Sequence, residues 1–160
     1  MPSDKLKSTL HFHFIVFIFG FTAILGKLIS IDAVSLVWYR MVLATAVVAL
    51  LMGIRRISFA LSTKQLYIML ICGVLIALHW VFFFHAVKVS NVSVTLSVMS
   101  AGALVTALVE PIFYKRSFVW YEIVLGLIVV VALGLIMQTE YHYIEGMMFA
   151  FIAILLSVAF

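Results

Sequence analysis

Five apolar stretches of membrane-crossing length, strung between short polar connections, leave this chain very little choice of fold. A hydrocarbon core about 30 Å thick takes about 20 apolar residues as a helix, and inside it every backbone N–H and C=O must be satisfied within the segment. The pattern predicts helices at about 12–30, 34–53, 66–86, 92–113 and 120–138, with a sixth at 145–160. That sixth run carries no charge from Gly146 to Phe160, where the sequence stops. About 15 residues at 1.5 Å each reach about 22 Å, short of the core. A carboxylate terminus at that depth is unfavourable, so the expectation is a multi-spanning protein cut off partway through its sixth helix.

Composition closes off the soluble classes. Apolar residues make up 67% of the chain and charged residues 10%, against about 25% charged in ordinary soluble domains. The net charge of +4 does not point to nucleic acid, because the basic residues stand singly or in pairs between apolar spans, where they orient a membrane protein. The single cysteine, Cys72, lies in an apolar run, so the chain has neither a disulfide nor a cysteine-metal framework. Lys5 and Lys7 precede an apolar run from Phe12 to Ile31 that is too long for a signal sequence and reads as a retained first helix.

Orientation follows from the cations. With a cytoplasmic N-terminus, Lys5, Lys7, Arg55, Arg56, Lys64, Lys115 and Arg116 all lie inside, and only Lys27, Arg40 and Lys88 lie elsewhere. This positive-inside bias predicts a multi-pass protein of the plasma (inner) membrane, in contact with the lipid bilayer. Short loops predict antiparallel neighbours in an all-α bundle, and Ser62-Thr63 is placed to cap the third helix.

Ionisable groups inside spans are functional candidates. Arg40 sits about 12 Å below the outer surface, and His79, nine residues before Lys88, comes to about the same depth. With Trp80 and the neighbouring Trp38 and Tyr39 they form a layer suited to an anionic or aromatic solute. The competing reading has Arg40 capping carbonyls or snorkelling, and His79 bonding to a neighbouring backbone. Lys27 is expected to snorkel beside Asp32. On the fourth helix Ser93, Ser97 and Ser100 recur at i, i+4 and i+7, one stripe. The stripe reads as a close-packing face or as a polar wall along a solute path, Ser97 and Ser100 being the solute candidates. Glu110-Pro111 is expected to interrupt that helix, Glu110 either gating as a proton-sensitive group or pairing with Lys115 or Arg116. His11 and His13 lack further ligands for a metal, and no catalytic or cofactor motif occurs.

The order of these features resembles the EamA-type transporters of the drug/metabolite transporter superfamily. The resemblance rests on Val37-Trp38-Tyr39-Arg40, Ala86-Val87-Lys88, Asn91-Val92-Ser93, the Gly126…Gly134 fifth helix after a basic loop, and Glu145-Gly146 opening an alanine- and phenylalanine-rich helix. It implies a ten-helix transporter of two five-helix repeats in inverted topology, with the solute cavity between them. Residues 1–143 would be the first repeat and residues 144–160 the start of the second. By the same analogy the third and fourth helices line the cavity. Many members carry a proline in the middle of the fourth helix, where this chain has Ser100-Ala101-Gly102, and a Glu-Arg pair after it, where this chain has Lys115-Arg116.

The resulting expectation is a secondary-type transporter of small metabolites or drugs working by alternating access, an exporter, with no cofactor and no enzymatic role. Two other readings compete with it. One is a half-transporter or subunit completed by a partner chain or a homo-oligomer, although the cation bias disfavours copies inserted in both orientations. The other is an intramembrane enzyme, which would need a carboxylate or cysteine at the level of Arg40 and His79.

Overall fold

The computed structural model describes residues 2–57 and 60–160. Of the polar connection Arg55–Lys64, Ser58 and Phe59 lie outside the described residues. Every regular element among the described residues is helical: α1 (Pro2–Leu28), α2 (Ala33–Ile54), α3 (Thr63–Val89), α4 (Val92–Ser100), α5 (Gly102–Tyr114), α6 (Trp120–Thr139), a 3-10 turn (Tyr141–Tyr143) and α7 (Ile144–Ala159). Among the described residues, six spans are long and apolar enough to cross a membrane. The sixth covers Tyr141–Ala159, because the 3-10 turn runs directly into α7 and adds length ahead of Gly146.

Three of the helix starts are written locally. Asp32, Ser62 and Asn91 are extended residues whose side chains accept the N–H groups of Ser35, Gln65 and Val94, so each start has one orphan donor satisfied. Ser62 also forms a full capping box, its own N–H donating to Gln65 Oε1 at 2.9 Å. α5 ends at Lys115, which takes the left-handed conformation (φ 51°) that closes many helices.

The fourth span is broken, but not where the proline predicts. α5 continues through the buried Pro111 to Tyr114, whereas the interruption falls at Ala101, between α4 and α5. There the Ser100 hydroxyl donates to the Ser97 carbonyl at 2.5 Å, and the Ala101 N–H reaches Val98 O, three residues back. A side chain competing for the backbone acceptor, followed by Gly102, tightens the turn and ends α4. Pro111 removes only one donor and leaves the following turn helical.

α7 lies at the centre of the packing, against α3 most extensively and also against α4 and α5. Its buried residues are Gly146, Met147, Ala150, Ala153 and Ile154, one face of the helix, while Phe151, Ile152 and Leu155 face outward. One buried cluster joins Ala23, Leu36, Val37, Phe83, Phe84 and Val87 to Ala153, and a second joins Ala86, Val94, Val98 and Ala101 to Met147, Ala150 and Ile154. In lipid, burial of apolar surface gives helices little reason to associate, so close approach of small residues and interhelical hydrogen bonds hold them together. Gly146 shows this most sharply: a Cβ there would come within 2.5 Å of Ser90 Cβ and 3.2 Å of Ala86 O.

α1 and α3 run parallel and finish side by side, and each caps the other. Lys27 Nζ donates to the carbonyls of Val87 and Lys88 at 3.0 Å and of Ser90 at 2.7 Å, while Lys88 Nζ donates to Ile29 O at 2.7 Å. This corrects the expectation that Lys27 snorkels beside Asp32. The unpaired carbonyls at a helix end attract a cation, and those of α3 are nearer. Asp32 is already occupied by Ser35, whose N–H and hydroxyl bond its two carboxylate oxygens at 2.9 and 2.5 Å.

The Gly146 contact gives a direct check. Gly146→Ala should lower thermal stability in detergent by about 1–3 kcal/mol through overpacking. Gly73→Ala, whose Cβ meets nothing within 4 Å, should leave stability unchanged or raise it by up to about 1 kcal/mol through helix propensity.

Candidate functional site

Arg40 projects from α2 across to α3. Its guanidinium carbon lies 3.9 Å from the centroid of the Trp80 ring and 5.9 Å from that of Phe84. The depth argument from sequence set Arg40 level with His79, and the stack on Trp80, the next residue, places them at one level. Trp80 in turn meets His79 edge-on at 5.2 Å between centroids. Trp38 and Tyr39 instead point outward, at 67% and 60% exposure.

Among the described residues, no carboxylate lies within ion-pair distance of Arg40 and no protein acceptor is hydrogen-bonded to it. The nearest acid in the sequence, Asp32, is committed to the α2 cap. The Ser35 hydroxyl and then the Ser35 N–H hold the exposed Asp32 carboxyl below the usual carboxylate range, which keeps it ionised and accepting from its own helix. Arg40 is half-buried and lines a groove of about 480 Å³ between α1 and α2, together with Thr22, Leu25, Leu36, Tyr39, Leu43 and Phe84.

His79 is differently placed. It is 8% exposed, and its Nδ1 lies 2.8 Å from the carbonyl oxygen of Ala153 on α7. A carbonyl can only accept, so Nδ1 carries the proton in this contact. The ring stacks on Phe83 and meets Phe160 edge-on. His85 and Phe82 flank Phe149 in the same way two turns further on. In this geometry His79 joins α3 to α7.

Ser97 is half-buried and Ser100 exposed, at the α4–α5 break, and neither lines the Arg40 groove. The buried neighbours of this stripe on α4 are Val94, Thr95 and Val98. Thr95, fully buried, bonds to the Ser90 hydroxyl at 3.0 Å, and that hydroxyl donates to Ala86 O at 2.6 Å. Glu110 is ion-paired with Arg116 on the far side of the Ala101 break from α4. It borders two open grooves, one of about 800 Å³ between α5 and α7 and one of about 430 Å³ between α5 and α6. The candidates thus fall into three groups: Arg40, Trp80 and His79; Ser97 and Ser100 at the break; Glu110 and Pro111 on α5.

The EamA-like transporter family model matches residues 9–138, from the first turns of α1 almost to the end of α6. The chain belongs to the EamA-like transporter family. With its six spans it is a multi-pass membrane protein of the drug/metabolite transporter type. No curated protein and no solved structure matches it. In this family member, helical rise set Arg40 at the depth of His79 and Trp80, but sequence reasoning missed the contacts of Lys27 and Lys88 across the ends of α1 and α3. The available signal was a lysine in the last turn of each of two helices that run the same way.

Two substitutions should separate these roles. His79→Ala removes the bond to Ala153 O and should destabilise the fold by about 1–3 kcal/mol. Glu110→Gln breaks a partly exposed pair and should change stability by less than about 1 kcal/mol. Thermal unfolding of both variants in the same detergent checks the order.

Proposed function

We propose that this EamA-like protein moves a small solute across the membrane by alternating access, and that the Arg40–Trp80 layer receives the solute. The observation that carries the reading is the guanidinium of Arg40, set in a membrane-spanning helix over an indole face with no protein counter-ion among the described residues. Ionisable groups are kept inside spans mainly where they serve solute or ion pathways.

In this reading residues 1–143 are one five-helix repeat and residues 144–160 open a second of inverted topology, the solute passing between them. The N-terminus lies in the cytoplasm of a plasma (inner) membrane, and the direction is export. His79 holds the α3–α7 contact next to the layer, and Ser97 and Ser100 supply hydroxyls along the path. Glu110 and Pro111 act at the opposite gate, where Glu110 holds Arg116.

The test is solute flux in proteoliposomes containing the purified protein with both repeats present, with a panel of labelled amino acids, nucleosides and sugars. Arg40→Ala should slow flux of the transported solute roughly tenfold or more, the equivalent of one lost charge-assisted contact. Trp38→Ala, at an outward-facing position, should leave it unchanged. Normal flux in both Arg40→Ala and Trp80→Ala would remove the layer from the solute path.

A further inference from the structure

At the end of the bundle where α1 and α3 finish, Lys27, Lys88 and Asp32 have hydrogen-bond partners within the protein and Glu145 is exposed, whereas Arg40 has neither a hydrogen-bond partner nor an ion pair among the described residues. Lys27 and Lys88 each cap the other's helix end. Asp32 holds Ser35 through both carboxylate oxygens. Glu140 lies 3.6 Å from His142. Arg40 alone among these faces only aromatic rings. The guanidinium keeps its charge at any physiological pH, and its N–H donors are open to an anion from outside the described residues.

The shape of the guanidinium narrows what it can bind. With its central carbon 3.9 Å from the Trp80 centroid, the guanidinium keeps N–H donors in its own plane that no protein acceptor takes. That plane matches an oxyanion, a carboxylate or phosphate accepting two parallel N–H bonds. Around it, the α1–α2 groove of about 480 Å³ is mostly apolar, with Leu25, Leu36, Leu43 and Phe84, and Thr22 and Tyr39 stand along its wall. A volume of this size suits a small solute. An inorganic anion would leave the apolar walls unfilled, and a neutral apolar molecule would leave the guanidinium unpaired.

We infer that Arg40 and the α1–α2 groove form a binding site for an oxyanion carried on a compact apolar body, so that the solute class of this transporter is amphipathic monoanions. The inference rests on the reading that Arg40 receives solute, and adds the charge and shape of what is received. The same chemistry has a second source, the phosphodiester of an anionic lipid entering sideways between α1 and α2.

Equilibrium binding to the full chain in phosphatidylcholine nanodiscs, corrected with empty nanodiscs, tests it with three probes of one shape: 4-phenylbutyrate, 4-phenylbutanol and 4-phenylbutylamine. The carboxylate should bind saturably, and the alcohol and amine roughly tenfold more weakly or less, the scale of one charge-assisted pair. Arg40→Gln should abolish the preference. Arg40→Lys, which keeps the charge but not the planar fork, should retain only part of it. Equal binding of the three probes, a preference for the amine, or no saturable binding at all would overturn the inference. The probe comparison on the unaltered protein decides this even if a variant folds poorly. Loss of carboxylate binding in phosphatidylglycerol nanodiscs, with binding intact in phosphatidylcholine, would confirm the oxyanion site and assign it to lipid. Flux that depends on Arg40 without anion preference would defeat this inference and leave the transport reading standing. Anion binding in a chain whose flux ignores Arg40 would do the reverse.

Discussion

α3 and α7 are held together by a hydrogen bond from an imidazole to a backbone carbonyl, in surroundings where water cannot compete for either group. His79 reaches Ala153 O across the helix pair. The contact is possible because Gly146, Ala150 and Ala153 keep α7 slim where it meets α3. Remove that closeness and the bond lengthens, the two buried clusters lose their shared helix, and α4 loses the surface that buries Val94, Thr95 and Val98. In lipid such packing and polar contacts replace the hydrophobic drive of a soluble core.

The same scarcity of water governs the charges. At the ends of α1 and α3 the carbonyls left over by helix geometry are filled by lysines, and the acid that begins α2 is filled by its own third residue. The first of these solutions joins distant helix ends and the second lies within three residues. Arg40 makes no contact of this kind among the described residues and faces only the Trp80 and Phe84 rings. A cation–π contact contributes on the order of 0.5–2 kcal/mol, enough to fix the orientation of the guanidinium but not to satisfy its donors. The fold therefore holds a charged fork in position without using its hydrogen bonds.

Much of this was legible in the sequence, for physical reasons that differ by element. The spans were readable because membrane thickness imposes a length on apolar runs, and the Ser62 start because capping is a matter of neighbouring residues. The shared level of Arg40 and His79 followed from helical rise alone. The side of α3 that His79 occupies did not, since it depends on α7, 74 residues away. The break at Ala101 was masked by Pro111, the louder signal. Proline removes one donor at a known place, whereas a serine bonding back to its own helix is decided by a rotamer that the sequence does not state. The partners of Lys27 were hidden for a similar reason: the carbonyls that attract it belong to a helix end more than fifty residues away.

The crossed lysines also make two distant pieces of chain into one cooperative end. Helix termini ordinarily fray independently, each turn opening at little free-energy cost. Here the last turn of α1 carries the cation that closes α3, and the last turn of α3 carries the cation that closes α1. Opening either one strips the other of its cap, so fraying at one terminus is penalised twice. The loops that follow, into α2 and into α4, thus depart from a common, jointly anchored edge. Their first residues, Asp32 and Asn91, begin the next helices from fixed points.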